Sequence, residues 1–373
     1  MSKVEVQNIE DINNAFKAAV QGVIDFNNSF DWPTAHTFVY REIDGVKIEA
    51  EVWVRETLPN GDSQNLPAKR PIFLYIHGGG WMAGVRTDFP KPILHEFLSR
   101  GFVFVSIDYR LIPEVDFITG QLDDICFVEG WLRENLQSSL TDRGVHVVVD
   151  SDAIVVAGGS AGSHLASLTP KLWKKKPRAL LLMAGPTNLF DCRRIGRPMG
   201  GGKLNEIVAQ CPMDPSPEFI KSAMFDKPQT NTKPTLSIEA FLAPRAMLGV
   251  SIFLNEVIPD FLVLGFVDGK LPKKGSAPED KVKFLSAFFG DLSDWPPTFQ
   301  MVGDSDEAFE ASQLTQFQDK LKQHNIPAGM LVVPEQSHAF ENMSKIGDQL
   351  HLRYIQPACE FVARYATEDS KQK

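Results

Sequence analysis

The chain has 373 residues, of which 43% are hydrophobic and 23% charged, a composition typical of a globular protein with a substantial core. Its net charge of -9 argues against nucleic-acid and anionic-membrane partners, because both attract basic surfaces. The four cysteines show no C-x-x-C or Cys/His metal spacing. We therefore expect free thiols, a cytoplasmic location, and neither a metal nor a cofactor.

The first predicted element is an amphipathic helix that ends near Asn28. Apolar residues recur at helical spacing from Ile12 to Ile24 with polar residues between them, so the segment is neither a signal peptide nor a membrane span. No apolar stretch elsewhere reaches the roughly 20 residues that a membrane-spanning helix needs. Residues 1–30 are therefore predicted to form an N-terminal helix.

Eight predicted strands follow along the chain. Asp44-Gly45 favours a tight hairpin between the first two, and the other six are continuous apolar runs, as expected of strands covered on both faces. Helical patterns such as Phe127–Leu136 and Ala311–His324 lie between them. This alternation predicts an α/β fold with a mostly parallel eight-stranded sheet flanked by helices. The predicted strands are His36–Ile43, Val46–Arg55, Ile72–Ile76, Phe102–Ile107, Ile154–Ala157, Ala179–Met183, Thr298–Val302 and Met330–Val333.

Residues 186–296 interrupt this alternation, because no clear strand occurs in them. Proline and glycine are frequent there, and helical patches carry many phenylalanines. We interpret the segment as a helical cap inserted into a core formed by residues 31–185 and 297–368. The phenylalanines are interpreted first as the core of the cap and second as the lining of a pocket for apolar substrates.

A serine lies in the predicted turn after the fifth strand. The run Gly158-Gly159-Ser160-Ala161-Gly162 fits G-x-S-x-G, in which the two outer glycines let a strand and a helix approach closely. Such a turn exposes the serine hydroxyl above a helix N-terminus. Because so short a pattern also occurs by chance, its meaning depends on the partners of the serine.

Candidate partners follow the last two strands. Asp304 and Asp306 come after the seventh strand, and His338 comes after the eighth. Parallel strands bring their carboxyl ends to one edge of a sheet, so these groups are expected to lie near Ser160. The order serine, acid, histidine is the one found in nucleophilic triads of hydrolases built on such sheets.

The loop after the third strand, His77-Gly-Gly-Gly-Trp81, is of the kind that supplies backbone amides to an oxyanion hole. The same glycines, with Asp108 at the end of the next strand, also fit a Rossmann phosphate loop. Pro90 and Pro92 lie where the phosphate-binding helix would run, and this alternative leaves the serine motif unexplained. We therefore favour the oxyanion hole.

Together these segments resemble the α/β-hydrolases of the hormone-sensitive-lipase-like branch, which includes many carboxylesterases. The resemblance runs from about Val39 to Arg364. It implies an α/β-hydrolase fold whose cap combines the N-terminal helix with the insertion. The motifs that carry it are His77-Gly-Gly-Gly-Trp81, Asp108-Tyr-Arg-Leu-Ile-Pro-Glu114, Gly158-Gly-Ser-Ala-Gly162, Gly303-Asp-Ser-Asp306 and His338-Ala-Phe340.

The resemblance also implies roles for individual residues. The catalytic acid matches Asp306 rather than Asp304, and the charges of Asp108–Glu114 match a structural network rather than catalysts. The oxyanion loop suggests a substrate-binding role for its last residues. The expected site residues are Ser160, Asp306 and His338 as the catalytic triad, the amides of Gly78, Gly79 and Ala161 as the oxyanion hole, and Gly80, Trp81 and Met82 as substrate contacts.

Three departures from the branch bear on the substrate. In the branch, an acid usually stands directly before the nucleophile, where this chain has Gly159. A glycine usually stands three residues after the nucleophile, where this chain has Ser163. The triad acid is usually followed by Pro-Leu, where this chain has Glu307-Ala308. The Gly-x-Ser-Ala-Gly-x-His-Leu run is also similar to arylformamidases. The expected activity is hydrolysis, through an acyl-enzyme, of a carboxylic ester or lactone of a bulky apolar small molecule. Arylformamidase-like amide hydrolysis, acyl transfer or cyclisation by the same serine, and non-catalytic binding stay open, as does the oligomeric state.

Overall fold

The structure is a computed structural model that describes residues 3–57, 66–192, 208, 211–232 and 243–367. Its strands are β1 His36–Ile43, β2 Val46–Trp53, β3 Arg70–Ile76, β4 Val103–Ile107, β5 Val149–Gly159, β6 Ala179–Met183, β7 Thr298–Gly303 and β8 Ala328–Val333. They form one sheet in the order β1-β2-β4-β3-β5-β6-β7-β8. Only the β1–β2 and β2–β4 pairs are antiparallel, so the predicted mostly parallel eight-stranded sheet is confirmed.

Helices precede the sheet, connect its strands and follow it. They are α1 Lys3–Asn28, α2 Lys91–Ser99, α3 Asp123–Gly130, α4 Leu136–Asp142, α5 Ala161–Leu172, α6 Pro217–Ser222, α7 Pro244–Leu254, α8 Ile258–Leu264, α9 Glu279–Phe284, α10 Ala311–Gln323 and α11 Gln356–Thr367. In the described parts of the chain, no single helix has both the length and the apolar character to cross a membrane. One pair, α7 with α8, passes on length and composition but is bent by 118°.

The sheet is covered on both faces because successive side chains of a strand point to opposite sides. In β3, Ile72, Leu74 and Ile76 join a core that includes residues of α3 and α5. Phe73 and Tyr75, which alternate with them, join a second core that includes residues of α2 and α11. Burying one such side chain stabilises the fold by about 1.5–3 kcal/mol, so both layers hold the sheet in place.

The turn between β5 and α5 places Ser160 at a strained position. Its φ is 53°, which residues with a side chain seldom adopt. A Cβ atom on Gly162 would lie 2.0 Å from the carbonyl oxygen of Ile76, and one on Gly158 would lie 2.3 Å from the carbonyl carbon of Gly162. The predicted strand, sharp turn and helix are therefore confirmed, with the two outer glycines at points of backbone contact.

The segment between β6 and β7 contains only helices, turns and one isolated bridge in its described residues. Residues 193–207, 209–210 and 233–242 of the predicted cap lie outside the described residues. Several phenylalanines of the segment pack against the main core, as expected of a cap core: Phe219, Phe253, Phe261, Phe266 and Phe288. The boundaries 186–296 stay a prediction.

The C-terminal end of α1 is attached to the segment that follows β8. The buried Asn27 side chain donates to the carbonyl of Ser344 at 3.0 Å and accepts from the amide of Ile346 at 3.0 Å. Val20 and Val23 are also buried. These contacts fix the described end of the helix, and its contribution to the cap stays a prediction.

Replacing Gly162 with alanine is expected to destabilise the fold. The added methyl group would overlap the carbonyl of Ile76, and strand and helix backbones can separate only by disturbing the core, which costs about 1–3 kcal/mol or more. The matched control is Gly130→Ala, because Gly130 is helical and a Cβ there meets nothing within 4 Å. The control is expected to gain about 0.5–1 kcal/mol. Urea unfolding followed by circular dichroism measures both, and equal stabilities would contradict this account.

Candidate active site

Three side chains from three loops form one hydrogen-bonded chain. Nε2 of His338 lies 2.9 Å from Oγ of Ser160, and Nδ1 of the same ring lies 2.9 Å from Oδ2 of Asp306. The serine follows β5, the aspartate β7 and the histidine β8. Because these strands are parallel, their carboxyl ends lie at one edge of the sheet, and the structure brings together the three residues predicted for the triad.

The position of Asp306 is fixed by the loop around it. Its Oδ1 accepts from the amides of Ala308 at 2.8 Å and Phe309 at 2.7 Å, and the side chain is almost fully buried. Asp304 is exposed, and its Oδ1 accepts from the amide of Glu335 at 2.8 Å. The carboxylate that contacts the histidine is therefore the one implied by the family resemblance.

The charges around His338 favour a protonated ring. Burial lowers its pKa, because desolvation penalises the imidazolium. The carboxylate of Asp306 outweighs this effect, both by charge and by its hydrogen bond, and with Glu341 and Glu307 raises the pKa to about 9. In its neutral form, a ring bonded to a hydroxyl on one side and a carboxylate on the other is oriented to take the hydroxyl proton.

Glu307 makes a contact that the sequence analysis missed. Its Oε2 accepts from the backbone amide of His338 at 2.9 Å and so holds the histidine loop against the acid loop. Glu307 stands where the branch usually has proline, and this departure was the feature of the sequence that could have indicated a special role for the residue. A proline could not accept such a bond from its side chain.

The glycine loop after β3 passes directly beside Ser160. A Cβ atom on Gly78 would lie 2.9 Å from the carbonyl oxygen of Gly159 and 3.2 Å from Cβ of Ser160. Gly79 has a φ of 107°, and a Cβ on it would lie 2.2 Å from the carbonyl oxygen of Ala83. Only glycine fits this path. The backbone amides of Gly78 and Gly79 lie in a loop, and among the described residues they donate to no backbone carbonyl. The oxyanion role of these amides and of Ala161 stays a prediction.

The three residues predicted to contact substrate differ in exposure. Gly80 is half-buried, whereas Trp81 and Met82 are each only 3% exposed. Nε1 of Trp81 donates to Nδ1 of His164 at 3.2 Å, so Nε2 of His164 carries the ring proton and donates to the carbonyl of Leu285 at 2.7 Å. Burial lowers the pKa of His164 to about 4, which keeps this ring neutral. The tryptophan is therefore held between α5 and the predicted cap.

One face of helix α7 packs along the glycine loop that follows β3. Nε of Arg245 donates to the carbonyl of Met82, a Cβ on Gly249 would lie 3.8 Å from Sδ of Met82, and the ring of Phe253 stacks 6.4 Å from that of Trp81. The spacing of four residues places these three positions on one side of successive helical turns. The predicted cap thus contacts the predicted oxyanion loop over two full turns of helix.

Arg245 is also part of a buried ion pair. Its Nη1 and Nη2 each lie 2.6 Å from a carboxylate oxygen of Glu114, and the same guanidinium donates to the carbonyls of Ile112 at 2.8 Å and Ala223 at 3.2 Å. The bidentate geometry is the strongest available to this pair of side chains. The sequence analysis placed Glu114 in a charged network but did not find its partner, because no local pattern links two residues this far apart in the chain.

The other charges of the Asp108–Glu114 motif are paired as well. Oδ2 of Asp108 lies 2.6 Å from Nη1 of Arg86, and Nη2 of Arg110 lies 2.9 Å from Oδ1 of Asp124. Asp108 and Asp124 are fully buried. Their interpretation as a structural network is confirmed, and Asp108 does not offer a free carboxylate to a ribose.

Aromatic rings continue from the loop to the histidine. The ring of Phe253 lies 5.7 Å from that of Phe309, and Phe309 lies 5.8 Å from the His338 ring. With Trp81 they form an aromatic wall, which we define as Trp81, Phe253 and Phe309. Phe309 was not predicted, although its position three residues after the triad acid was a usable signal.

Truncating Arg245 to alanine is expected to cost about 3–5 kcal/mol, because it leaves the buried Glu114 carboxylate without a cation and with only the amide of Phe225 donating to it. A double variant, Arg245→Ala with Glu114→Ala, is expected to lose less than the sum of the single losses. Lys283→Ala is the control, since its ion pair with Glu279 is exposed and such pairs contribute about 0–1 kcal/mol. Urea unfolding gives all four values, and an Arg245 variant as stable as the control would refute the assignment.

Comparison with known proteins agrees with the observed fold. The native esterase Est2 of Thermogutta terrifontis superposes with a TM-score of 0.53 at 18% identity, covering 93% of this chain and 99% of that one. An esterase of Pyrobaculum calidifontis gives 0.55 at 17% identity, covering 96% and 92%. The protein therefore has the α/β-hydrolase fold, as the motifs implied. More particularly, residues 61–179 match the model of the BD-FAE family, an α/β-hydrolase-type esterase domain.

Several relatives by sequence are synthases much longer than this chain. The non-reducing polyketide synthase stbA of Stachybotrys bisbyi is 27% identical over 87% of this chain, which corresponds to 14% of that protein. Methylphloroacetophenone synthase of Cladonia uncialis is 26% identical over 87% of the chain and 13% of that protein. The polyketide synthase atr1 of Stereocaulon alpinum is 36% identical over 43% of the chain and 6% of that protein. The chain thus spans about one seventh or less of the length of these relatives.

Proposed function

We propose that the protein is a serine hydrolase that cleaves a carboxylic ester or lactone of a bulky apolar small molecule through an acyl-enzyme on Ser160. The hydrogen-bonded chain from Ser160 through His338 to Asp306 carries this proposal. A general base bonded to a nucleophile, and itself oriented by a third group, is the arrangement that activates a hydroxyl. The esterase-type domain over residues 61–179 supports it independently.

In the first half-reaction, neutral His338 takes the Ser160 proton at Nε2 while Oγ attacks the acyl carbonyl carbon. Its Nδ1–H donates to Asp306, which holds the ring and stabilises the imidazolium. The carbonyl oxygen becomes an oxyanion, and the amides of Gly78, Gly79 and Ala161 are the proposed donors to it. The tetrahedral intermediate collapses, and the leaving alkoxide takes the proton from Nε2.

In the second half-reaction, water attacks the acyl-enzyme. His338 takes a proton from the water and passes it to Oγ of Ser160 as the acyl group leaves as a carboxylic acid. The serine is thereby regenerated, and no metal or cofactor takes part in the proposed steps. For a lactone the alcohol and the acid stay within one molecule.

The aromatic wall supports an apolar substrate. Phe309 contacts the His338 ring and Phe253 contacts Phe309, so the surroundings of the catalytic histidine are apolar on this side. The polyketide synthase relatives support an acyl group of polyketide type. The Est2 esterase, which shares the fold, has also been solved with butyrate bound, and this favours butyrate esters as test substrates.

A second candidate is transfer of the acyl group to an acceptor other than water, including cyclisation. The similarity to segments of synthases, which build molecules rather than degrade them, favours it. The acyl-enzyme is common to both reactions, so the two differ only in the second half-reaction. Product analysis by mass spectrometry with a competing alcohol distinguishes them, since transfer gives a new ester and hydrolysis gives the free acid.

Ser160→Ala is expected to lower kcat for p-nitrophenyl butyrate by about 10⁴ or more, because the nucleophile is removed. The matched control is Ser163→Ala, one turn along the same helix, whose buried hydroxyl has no hydrogen-bond partner in the described residues and should leave kcat nearly unchanged. Release of p-nitrophenol measures both variants.

A fluorophosphonate probe provides the second measurement. Wild type and the Ser163 variant are expected to be labelled at Ser160, identified by peptide mass spectrometry, and Ser160→Ala is expected to stay unlabelled. Full activity of Ser160→Ala would disprove the acyl-enzyme. A wild-type protein that is folded but neither labelled nor active would instead favour non-catalytic binding, and activity confined to N-formyl amides would favour an arylformamidase-like reaction.

The rate is expected to depend on pH through His338. Its neutral form is the active base, so kcat/KM for p-nitrophenyl butyrate should rise with pH and level off above the pKa of about 9. Asp306→Asn removes the charge that raises this pKa, so the rise should move to lower pH, and kcat should fall by about 10⁴ since the ring is no longer held in its useful tautomer. A wild-type profile that levels off below pH 6.5 would contradict the assignment.

A further inference from the structure

Glu341 is a buried carboxylate beside the proposed nucleophile to which the mechanism above gives no role. It follows His338 by three residues and is only 1% exposed. A Cβ atom built on Gly159 would lie 3.4 Å from its Oε1 and 3.0 Å from Oη of Tyr75. The carboxylate therefore occupies space next to the residue that precedes Ser160.

The space beside residue 159 is open because that residue is a glycine. A larger side chain there would meet the Tyr75 hydroxyl and the Glu341 carboxylate at once, and Tyr75 is itself almost fully buried. The space that Gly159 leaves open and the side chain of Glu341 thus fit each other.

The carboxylate is also incompletely bonded. Its Oε2 is buried and has no hydrogen-bond partner in the described parts of the chain. A buried oxygen of this kind costs free energy unless its charge interacts favourably with something nearby. A hydrogen bond from its own backbone amide and the charge of His338 favour the ionised form of Glu341, and the charge of Asp306 opposes it. Tyr75 faces it as a neutral phenol, because burial first and then Glu341 keep the pKa of Tyr75 high.

We propose that Glu341 is a positioning residue for His338, whose negative charge stabilises the imidazolium that forms when His338 takes the Ser160 proton. The inference rests on the proposed function, and it adds a second carboxylate to the one that touches the ring directly. Asp306 fixes the orientation of the imidazole by a hydrogen bond. Glu341 acts on its charge through space, from the side of the ring's own loop.

The protonation state of Glu341 makes this effect dependent on pH. Burial raises its pKa to about 7, against the lowering effects of its own backbone amide and of His338. Above this value the carboxylate is charged and supports the imidazolium; below it the carboxyl is neutral and the support is lost. The pH range in which His338 is an active base, around and above 9, is therefore one in which Glu341 is charged.

The direct test is the titration of His338 by NMR in protein carrying ¹³C-labelled histidine, with the signal assigned from a His338→Asn spectrum. Glu341→Gln keeps the size of the side chain and removes its charge. It is expected to lower the pKa of His338 by roughly one unit. At high pH the same lost interaction should lower kcat for p-nitrophenyl butyrate by roughly tenfold, with KM nearly unchanged. Asp304→Asn, a change of an exposed carboxylate in the acid loop, is the control and should alter neither.

A relocation experiment separates charge from packing. Glu341→Ala is expected to behave like Glu341→Gln. The double variant Glu341→Ala with Gly159→Asp returns a carboxylate to the same space, now from the turn that carries Ser160. The double variant should regain most of the lost pKa shift and activity. Gly159→Asp alone should be impaired, because it puts two carboxylates side by side.

The outcomes distinguish the two proposals. If the wild type is active and labelled at Ser160 but His338 titrates alike in wild type and Glu341→Gln, Glu341 has no role in catalysis and this inference alone is lost. A loss of activity in Glu341→Gln without a change in the His338 titration has the same meaning, since it indicates packing. If the wild type neither hydrolyses esters nor reacts with fluorophosphonate, the proposed function is lost and this inference with it.

Discussion

The close approach of β5, α5 and the end of β3 is the constraint on which the site depends. The backbones of these three elements meet there with no room for a Cβ atom on Gly158 or Gly162. Ser160 is left between them with a φ of 53°, a conformation that costs of order 1–3 kcal/mol and persists only because both flanking elements are held by the core. The two layers of helices supply that support, so the burial of ordinary apolar residues is what holds the Ser160 hydroxyl in its place at the site.

The site is assembled around this turn from loops with different supports. The acid loop is fixed by two backbone amides that donate to Asp306, and the histidine loop is joined to it by Glu307. The glycine loop is held from the other side by α7 and by the Trp81–His164 contact. A site supported in this way keeps its geometry without a bound ligand, which is what electrostatic stabilisation of a transition state requires.

The sequence predicted the parts of the structure that local patterns determine. Alternation of apolar runs and helical periods was sufficient for the eight strands, and short glycine-rich motifs were sufficient for Ser160, Asp306 and His338, which the structure brings together. Glu114, Glu307 and Glu341 show what such patterns do not contain. Each is a single charged residue whose partner is distant in the chain or lies in another loop, so its role follows from packing in three dimensions. The substrate is not encoded by local patterns either, because the predicted cap packs through tertiary contacts of phenylalanines.

The anchoring of α7 has a consequence for movement of the predicted cap. The helix is fixed to the core by a bidentate ion pair, a backbone carbonyl and a stacked ring along a single side. Moving α7 away from the glycine loop would expose the Glu114 carboxylate and the residues of that loop that α7 contacts. Any movement of the predicted cap that displaced α7 would therefore have to break these contacts together.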